Sequence, residues 1–521
     1  MRRSILSNGA GLIIAGVVSF LIAPLMIHRL GASIFGLWVL ASSLVDYSGL
    51  FDNGLRYGLF RFVARDWGAG DRQGLNRTIA NALALSGASA GLVLLLLPFL
   101  LVWAPRVFPA AAGAAFHNTL LLMALSLAIL FPARCLGNYM SGIRRFDLFN
   151  VATISSVLLR NGLVAVLLLT NHGVVSLAAA TLVSSVFLLL LAAFLIRRAD
   201  PGLVFSARFA SWSGARELFV YGGFAFVTLG GESLRSYTDA LVIARTLTVA
   251  LITPFNVATR LIEYAKGVLS AIASPLNGRM CEFVGRNDAA ALRHLYLNAT
   301  RYFTLIAAYF GMLFYFDGRA LIHLWVGPEY ASSYGLLLIL VAGYLLAWAQ
   351  YPSNLLLFSV ARHRFLAALT LVEGLANLGL SFHWAHVYGL RGVAWGTTVP
   401  LLIASVAIEP WYVLRVAGIR WGEYFRLGFA RATLTALACS ALLSLGMVPV
   451  SSSSWAHLCA AGLGQSLLFA VCAGAVGVVP DERQAMLLSF RRILIRANRR
   501  FAAPAASSTG VTRSVTPGVT Q

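Results

Sequence analysis

The sequence predicts an all-α polytopic membrane protein of about fourteen transmembrane helices, and three observations predict it. Of the 521 residues, 59% are hydrophobic and 11% charged, with a mean hydropathy of +0.79. A water-soluble chain of this size would carry more charge on its surface. Apolar runs of about 20 residues, enough to cross ~30 Å of hydrocarbon at about 1.5 Å per residue, recur along the whole chain. The loops between them alternate between arginine-rich and charge-poor, as the positive-inside rule demands. The net charge of +21 is carried almost wholly by arginine, since Lys266 is the sole lysine. Because those arginines sit in alternate loops, the basic balance reports membrane topology and excludes nucleic acid as a partner.

The spans are expected at about 6–28, 34–57, 78–103, 117–140, 148–170, 174–196 and 217–238. They continue at about 250–274, 299–321, 333–358, 365–387, 391–414, 424–447 and 455–479. The first follows a basic start, and its apolar run exceeds a signal-peptide core, so it reads as a retained span. One set of loops holds Arg2 and Arg3, then Arg61/Arg65/Arg72/Arg77, Arg144/Arg145, Arg197/Arg198 and Arg279/Arg286/Arg293. The other set, such as 32–33, 104–116 and 171–173, is short and poor in charge. The first set is assigned to the cytoplasm, which puts both termini inside.

An internal repeat shapes the middle of the chain. At an offset of 217 residues Leu30 falls on Leu247, Asp46 on Glu263, Tyr47 on Tyr264, Asp71 on Asp288 and Asn81 on Asn298. Six spans separate the copies, an even number, so the two lobes point the same way, in parallel repeat. The expected organisation is an N-lobe at 1–196, a cytoplasmic linker at 197–216 and a C-lobe at 217–414. A C-terminal helix pair follows at 424–479. Residues 480–521 are expected to form an interfacial amphipathic helix, with Met486, Leu487, Phe490, Ile493 and Leu494 on one face, and then a disordered Ser/Thr/Ala/Gly tail.

Polar groups inside the spans are the candidate functional residues, because a charge at mid-bilayer costs roughly 2.5–3.5 kcal/mol and needs a cavity or a partner. Asp46 and Glu263 lie mid-span in the two lobes. They are either ion-pair partners or coupling sites that load and release a proton or cation. Arg260 is three residues from Glu263, Asp52 is four from Arg56, and Glu232, Arg235 and Asp239 share a helical face, so pairing within each helix is the structural alternative. Arg160, beside Asn161, sits at the middle of the fifth span with no acid within four residues. Glu373 and Glu409 fall in the inner halves of later spans. His323, His383 and His386 lie towards outer ends and read as interfacial. The five cysteines show no metal or redox spacing, and no HExxH or GxxxxGK[ST] motif is present, so no cofactor, metal or ATPase site is expected.

Pro24 in the first span, followed by LG…FGLW…Y…LFDNGLRYG…RFVA…GD over Leu30–Asp71, resembles the polysaccharide-transporter branch of the multidrug/oligosaccharidyl-lipid/polysaccharide exporter superfamily. LGNYMSGIRRFDLFN at Leu136–Asn150 is similar to the end of that family's fourth span, and the likeness extends over most of residues 1–415. The nearest relatives would be Wzx-type O-antigen flippases. The resemblance implies a non-enzymatic flippase of the inner membrane, moving an undecaprenyl-pyrophosphate-linked oligosaccharide by ion-coupled alternating access between two lobes. Its partners would be that substrate, membrane lipids, a polysaccharide polymerase and glycosyltransferases. Cavities in the family are cationic, and the pyrophosphate-binding role falls here to Arg160, Arg260, Arg235, Arg56 and Asn161, with Asp46 and Glu263 as coupling residues. Two alternatives stay open. A drug or metabolite exporter of the same superfamily would have a more acidic or aromatic cavity. A membrane-embedded polysaccharide polymerase or transferase would carry a large external loop, and the longest here, 104–116, is short.

Overall fold

The computed structural model describes residues 2–109, 112–446 and 454–478, with side chains for all of these except 2–15, 48, 50–57, 221–229 and 274. The side chains of Asp52 and Arg56, and the amphipathic helix and tail expected from residue 480, lie outside the described residues. Among those described, every regular element is helical. This is how an apolar chain satisfies its backbone within a membrane.

Helix α1 (Arg2–Ser48) carries the first expected span and most of the second, divided by a non-helical Gly31 (φ 75, ψ 164). Helix α2 (Leu50–Ala69) continues that path into the basic segment and stops at Gly70, which adopts a left-handed conformation. The N-half is completed by α3 (Arg72–Val107), α4 (Ala114–Gly142), α5 (Phe146–Leu169) and α6 (Val174–Ala199). Then come α7 (Trp212–Thr246), α8 (Ile252–Gly285), α9 (Ala289–Phe316) and α10 (Gly318–Val326). The remainder is α11 (Ser332–Ala349), α12 (Tyr351–Ser359), α13 (His363–Tyr388), α14 (Leu390–Ile403), α15 (Glu409–Ala417), α16 (Trp421–Tyr424), α17 (Arg431–Ser444) and α18 (Trp455–Cys472). Single π-helical turns join α14 to α15 and α16 to α17.

By length and composition, ten described helical stretches can cross a membrane, or eleven if α9 and α10, bent by 65° at Asp317, form one span. The expected fourteen is not reached on this measure. The first two expected spans share α1, while α7 and α8, which carry Glu232, Arg235, Asp239, Arg260, Glu263 and Lys266, are not among the ten. The 217-residue offset has local structural counterparts. Asp71 caps α3 by accepting from the Gly74 amide at 2.8 Å, and Asp288 caps α9 by accepting from the Ala291 amide at 2.9 Å. The break at Gly31 likewise falls on Thr248, in the break between α7 and α8.

Packing differs between the two ends of the bundle. At the charge-poor end one core joins both halves, with Phe35 and Leu40 of α1 in the same cluster as Val249, Ile252 and Ala258. At the arginine-rich end there are two separate cores. One holds Leu59, Leu75 and Tyr139, and the other holds Tyr296, Leu357, Val413 and Tyr424. The seam at the charge-poor end is tight. Thr253 Oγ1 donates to the Ala32 carbonyl at 2.7 Å, and Trp325 Nε1 donates to the Phe20 carbonyl at 2.8 Å while its ring stacks on Phe20. Gly36 lies against the Val249 carbonyl so closely that a Cβ there would run into it.

The segment between the halves is tied down at the arginine-rich end. Asp200, 2% exposed, accepts from Arg72 at 2.5 Å and from the Tyr139 hydroxyl at 2.7 Å. Asn76 and Asn81 of α3 accept from the Val204 and Ser211 amides. Asp200→Ala is expected to lower stability by about 1–3 kcal/mol, because it leaves the buried Tyr139 hydroxyl without an acceptor. The ion pair adds little, since Arg72 is more than half exposed. Thermal unfolding in detergent should show Asp200→Asn losing less than Asp200→Ala, and equal losses would refute this account.

Candidate functional site: a cavity between the halves

Two cavities of ≈ 530 Å³ each meet at Asp46, Ser233 and Tyr237, which line both. The first is walled by α1 and α4–α7 and contains Arg134 and Arg160. The second is walled by α1, α7, α8, α11 and α14 and contains Glu232, Arg235, Asp239, Arg260, Glu263 and Lys266. Together the linings hold five cationic side chains against four acids. The lining is therefore close to charge balance, whereas the resemblance implied a cationic one.

The balance hides an uneven distribution. Lys266 Nζ donates to Glu232 at 2.7 Å and lies 3.7 Å from Glu263. Arg235 lies 3.7 Å from Glu373 and 4.0 Å from Glu232. Arg260 donates to Asn256 Oδ1 at 2.9 Å, not to Glu263. Arg160 is exposed to the cavity and makes no ion pair among the described residues. The charges that act on it are Arg260, a like charge from α8, and Asp46. Two guanidiniums from opposite halves thus bear on one another, an arrangement that favours an anion between them.

The candidates read from the sequence separate accordingly. Arg160, Arg235, Arg260, Asp46 and Glu263 all line the cavities. Asn161 lines neither; it is buried, and its amide donates to the Val157 carbonyl at 2.8 Å. The pairing expected within α8 between Arg260 and Glu263 is replaced by Lys266–Glu263. In the ladder expected on α7, Arg235 keeps Glu232 but Asp239 accepts from Thr397 of α14 at 3.0 Å. Thr397 in turn accepts from Asn377 at 2.9 Å. Lys266 and Glu373 were not singled out as site residues. The one lysine of an arginine-rich chain, lying mid-span, was the available signal for the first. Arg235 meets Glu373 because α7 and α13 touch almost backbone to backbone: a Cβ on Gly231 would lie 2.5 Å from the Thr370 carbonyl carbon.

Comparison with known proteins agrees with this architecture. Residues 90–334 match the family described as "Polysaccharide biosynthesis protein". The uncharacterized membrane protein EpsK of Bacillus subtilis is 23% identical over 93% of this chain and 97% of its own length. The lipid II flippase MurJ in an inward closed conformation superposes with a TM-score of 0.69 at 12% identity, over 91% of this chain and 98% of its own. An inward-facing multidrug resistance MATE family transporter of the MOP superfamily superposes with a TM-score of 0.60 at 18% identity, over 80% and 95%. The chain has the MOP-superfamily transporter fold. The family match, at residues 90–334, and the shared fold agree with the resemblance read in the sequence. The cavity lies between the two halves and is sealed at the charge-poor end by α1, the 249–251 turn and Trp325.

Proposed function

We propose that the protein is a flippase that carries an undecaprenyl-pyrophosphate-linked oligosaccharide across the cytoplasmic membrane for surface polysaccharide assembly, by ion-coupled alternating access. The observation that carries this reading is that Arg160 and Arg260 line the joined cavities from opposite halves, neither in an ion pair among the described residues. Planar, permanently charged guanidiniums suit the oxygens of a pyrophosphate. The polysaccharide-biosynthesis family match and the lipid II flippase neighbour support the substrate class. The arginine-rich end is the cytoplasmic one in this reading, with both termini inside, and the cavity receives its substrate from there. Arg235, and Arg56 from the basic end of the second span, complete the cationic set. Polymerase and glycosyltransferases act on the substrate before and after transport.

The test is transfer of a labelled undecaprenyl-pyrophosphate oligosaccharide between leaflets of proteoliposomes holding the purified protein. Transfer above that of protein-free vesicles is expected. Its absence, with a dye-like cation moved instead, would overturn the reading in favour of a drug exporter.

Asp46 and Glu263 are the coupling residues of this proposal. Asp46 faces Arg134 and Arg160, and Glu263 faces Lys266. The double substitution Asp46→Asn/Glu263→Gln should slow transfer several-fold and flatten its dependence on pH or on an imposed ion gradient. An unchanged gradient dependence would reduce both acids to ion-pair partners.

A further inference from the structure

A row of alternating charges leaves the cavity and enters the interior of the C-terminal half. It runs from Glu263 to Lys266, Glu232, Arg235 and Glu373, and ends near Glu409. Four acids share two cations. Glu263 is 53% exposed and lines the cavity. The other end is different. Glu373 is 8% exposed and Glu409 6%, each has a carboxylate oxygen with no hydrogen-bond partner among the described residues, and Glu373 acts electrostatically on Glu409. Among the described residues, the charged or titratable groups that face them are few. Arg235 and Glu232 of α7 face Glu373, while Arg235, Tyr296 of α9 and Tyr424 of α16 face Glu409. Arg235 is the only cation among these, and Glu232 draws on it as well.

Two carboxylates buried together beside one shared guanidinium do not both ionise, because each bare charge loses its hydration without a full counter-charge. Arg235 also lines the cavity. We propose that Glu373 and Glu409 form a buried proton site that loads when an anionic head group engages Arg235 in the cavity. This rests on the proposed function and concerns the proton linked to head-group binding, a second site apart from the coupling acids Asp46 and Glu263. An anion that draws on Arg235 leaves the pair less compensated, so a proton moves from water to a carboxylate oxygen of the pair. No other bond changes. The coupling is reciprocal: a protonated pair frees Arg235 and tightens anion binding. The pair titrates as a unit, with one proton exchanged between its members.

The experiment is calorimetric titration of the purified full-length protein in detergent with farnesyl pyrophosphate, in two buffers of different ionisation enthalpy. The wild type should take up as much as one proton per ligand bound. Its dissociation constant should tighten as pH falls, by up to about tenfold per pH unit. Glu409→Gln and Glu373→Gln, isosteric with the protonated acid, should bind farnesyl pyrophosphate but lose the uptake and the pH dependence. Proton changes on the ligand itself occur alike in wild type and variants, so the difference isolates the pair. Wild-type binding without uptake, or uptake undiminished in either variant, overturns the proton site and leaves the flippase reading standing. No wild-type binding overturns the flippase reading and this inference with it.

Discussion

Arg160→Ala is expected to abolish delivery of the lipid-linked sugar while the amount of protein in the membrane stays near normal. The side chain reaches the water of the cavity and makes no ion pair among the described residues. Its removal therefore strands no paired acid, and it relieves the repulsion from Arg260. A structural buried pair behaves in the opposite way, since deleting its cation costs about 3–5 kcal/mol and the protein fails to accumulate. What the substitution removes is a fork that donates to two pyrophosphate oxygens. Each charge-assisted hydrogen bond contributes about 1.5–3 kcal/mol. Losing two of them weakens head-group binding by roughly two orders of magnitude or more. Arg160→Lys should keep partial transport, with the charge retained and the fork lost. The measurement is glycan delivered per unit of protein in the membrane. Full delivery by Arg160→Ala would remove Arg160 from the site, and a collapse in abundance would make it a structural residue.

Gly36→Leu is expected to stop transport by a different route, preventing closure of the charge-poor end. A Cβ added at Gly36 would run into the Val249 carbonyl, which is backbone and cannot rotate away. Overpacking of this kind costs about 1–3 kcal/mol or more, and the cost falls only on the closed arrangement. A penalty of that size shifts the balance between closed and open by roughly 5- to 150-fold. The check is a cysteine at Ala32, in a background without the native cysteines, reacting with a bulky thiol reagent. Ala32 takes part in the seam through its carbonyl, so labelling should be slow with Gly36 and fast with Leu at that position. Equal labelling rates together with normal transport would show that the seam does not gate the cavity.

Much of this was legible in the sequence because it rests on local or periodic physics. Apolar runs dictate helices, and the 217-residue offset correctly paired Asp71 with Asp288, two side chains that cap helices through contacts three residues away. The isolation of Arg160 was also readable, since no acid shares its helix face. The pairing of the other charges was not. Spacing placed Arg260 and Glu263 on one face, yet α7 brings Glu232 to Lys266, and Lys266 rather than Arg260 meets Glu263. Glu373 is 138 residues from Arg235, and only the close crossing of α7 and α13 joins them. Asn161 shows the same limit in reverse: adjacent to Arg160 in sequence, it points one hundred degrees around the helix and bonds its own backbone.

Lys266 has a practical consequence. It is the single ε-amine in the sequence, and it sits between Glu232 and Glu263 on the cavity wall. Reductive methylation with a ¹³C-labelled reagent therefore places one lysine resonance in a protein of 521 residues, with no mutagenesis. The dimethylated amine keeps its positive charge and its attraction to both carboxylates. Its chemical shift reads out which acid holds it, and its line width reads out how fast it exchanges between them. A transporter too large for routine assignment thus carries its own spectroscopic reporter at the point where the cavity meets the charge row.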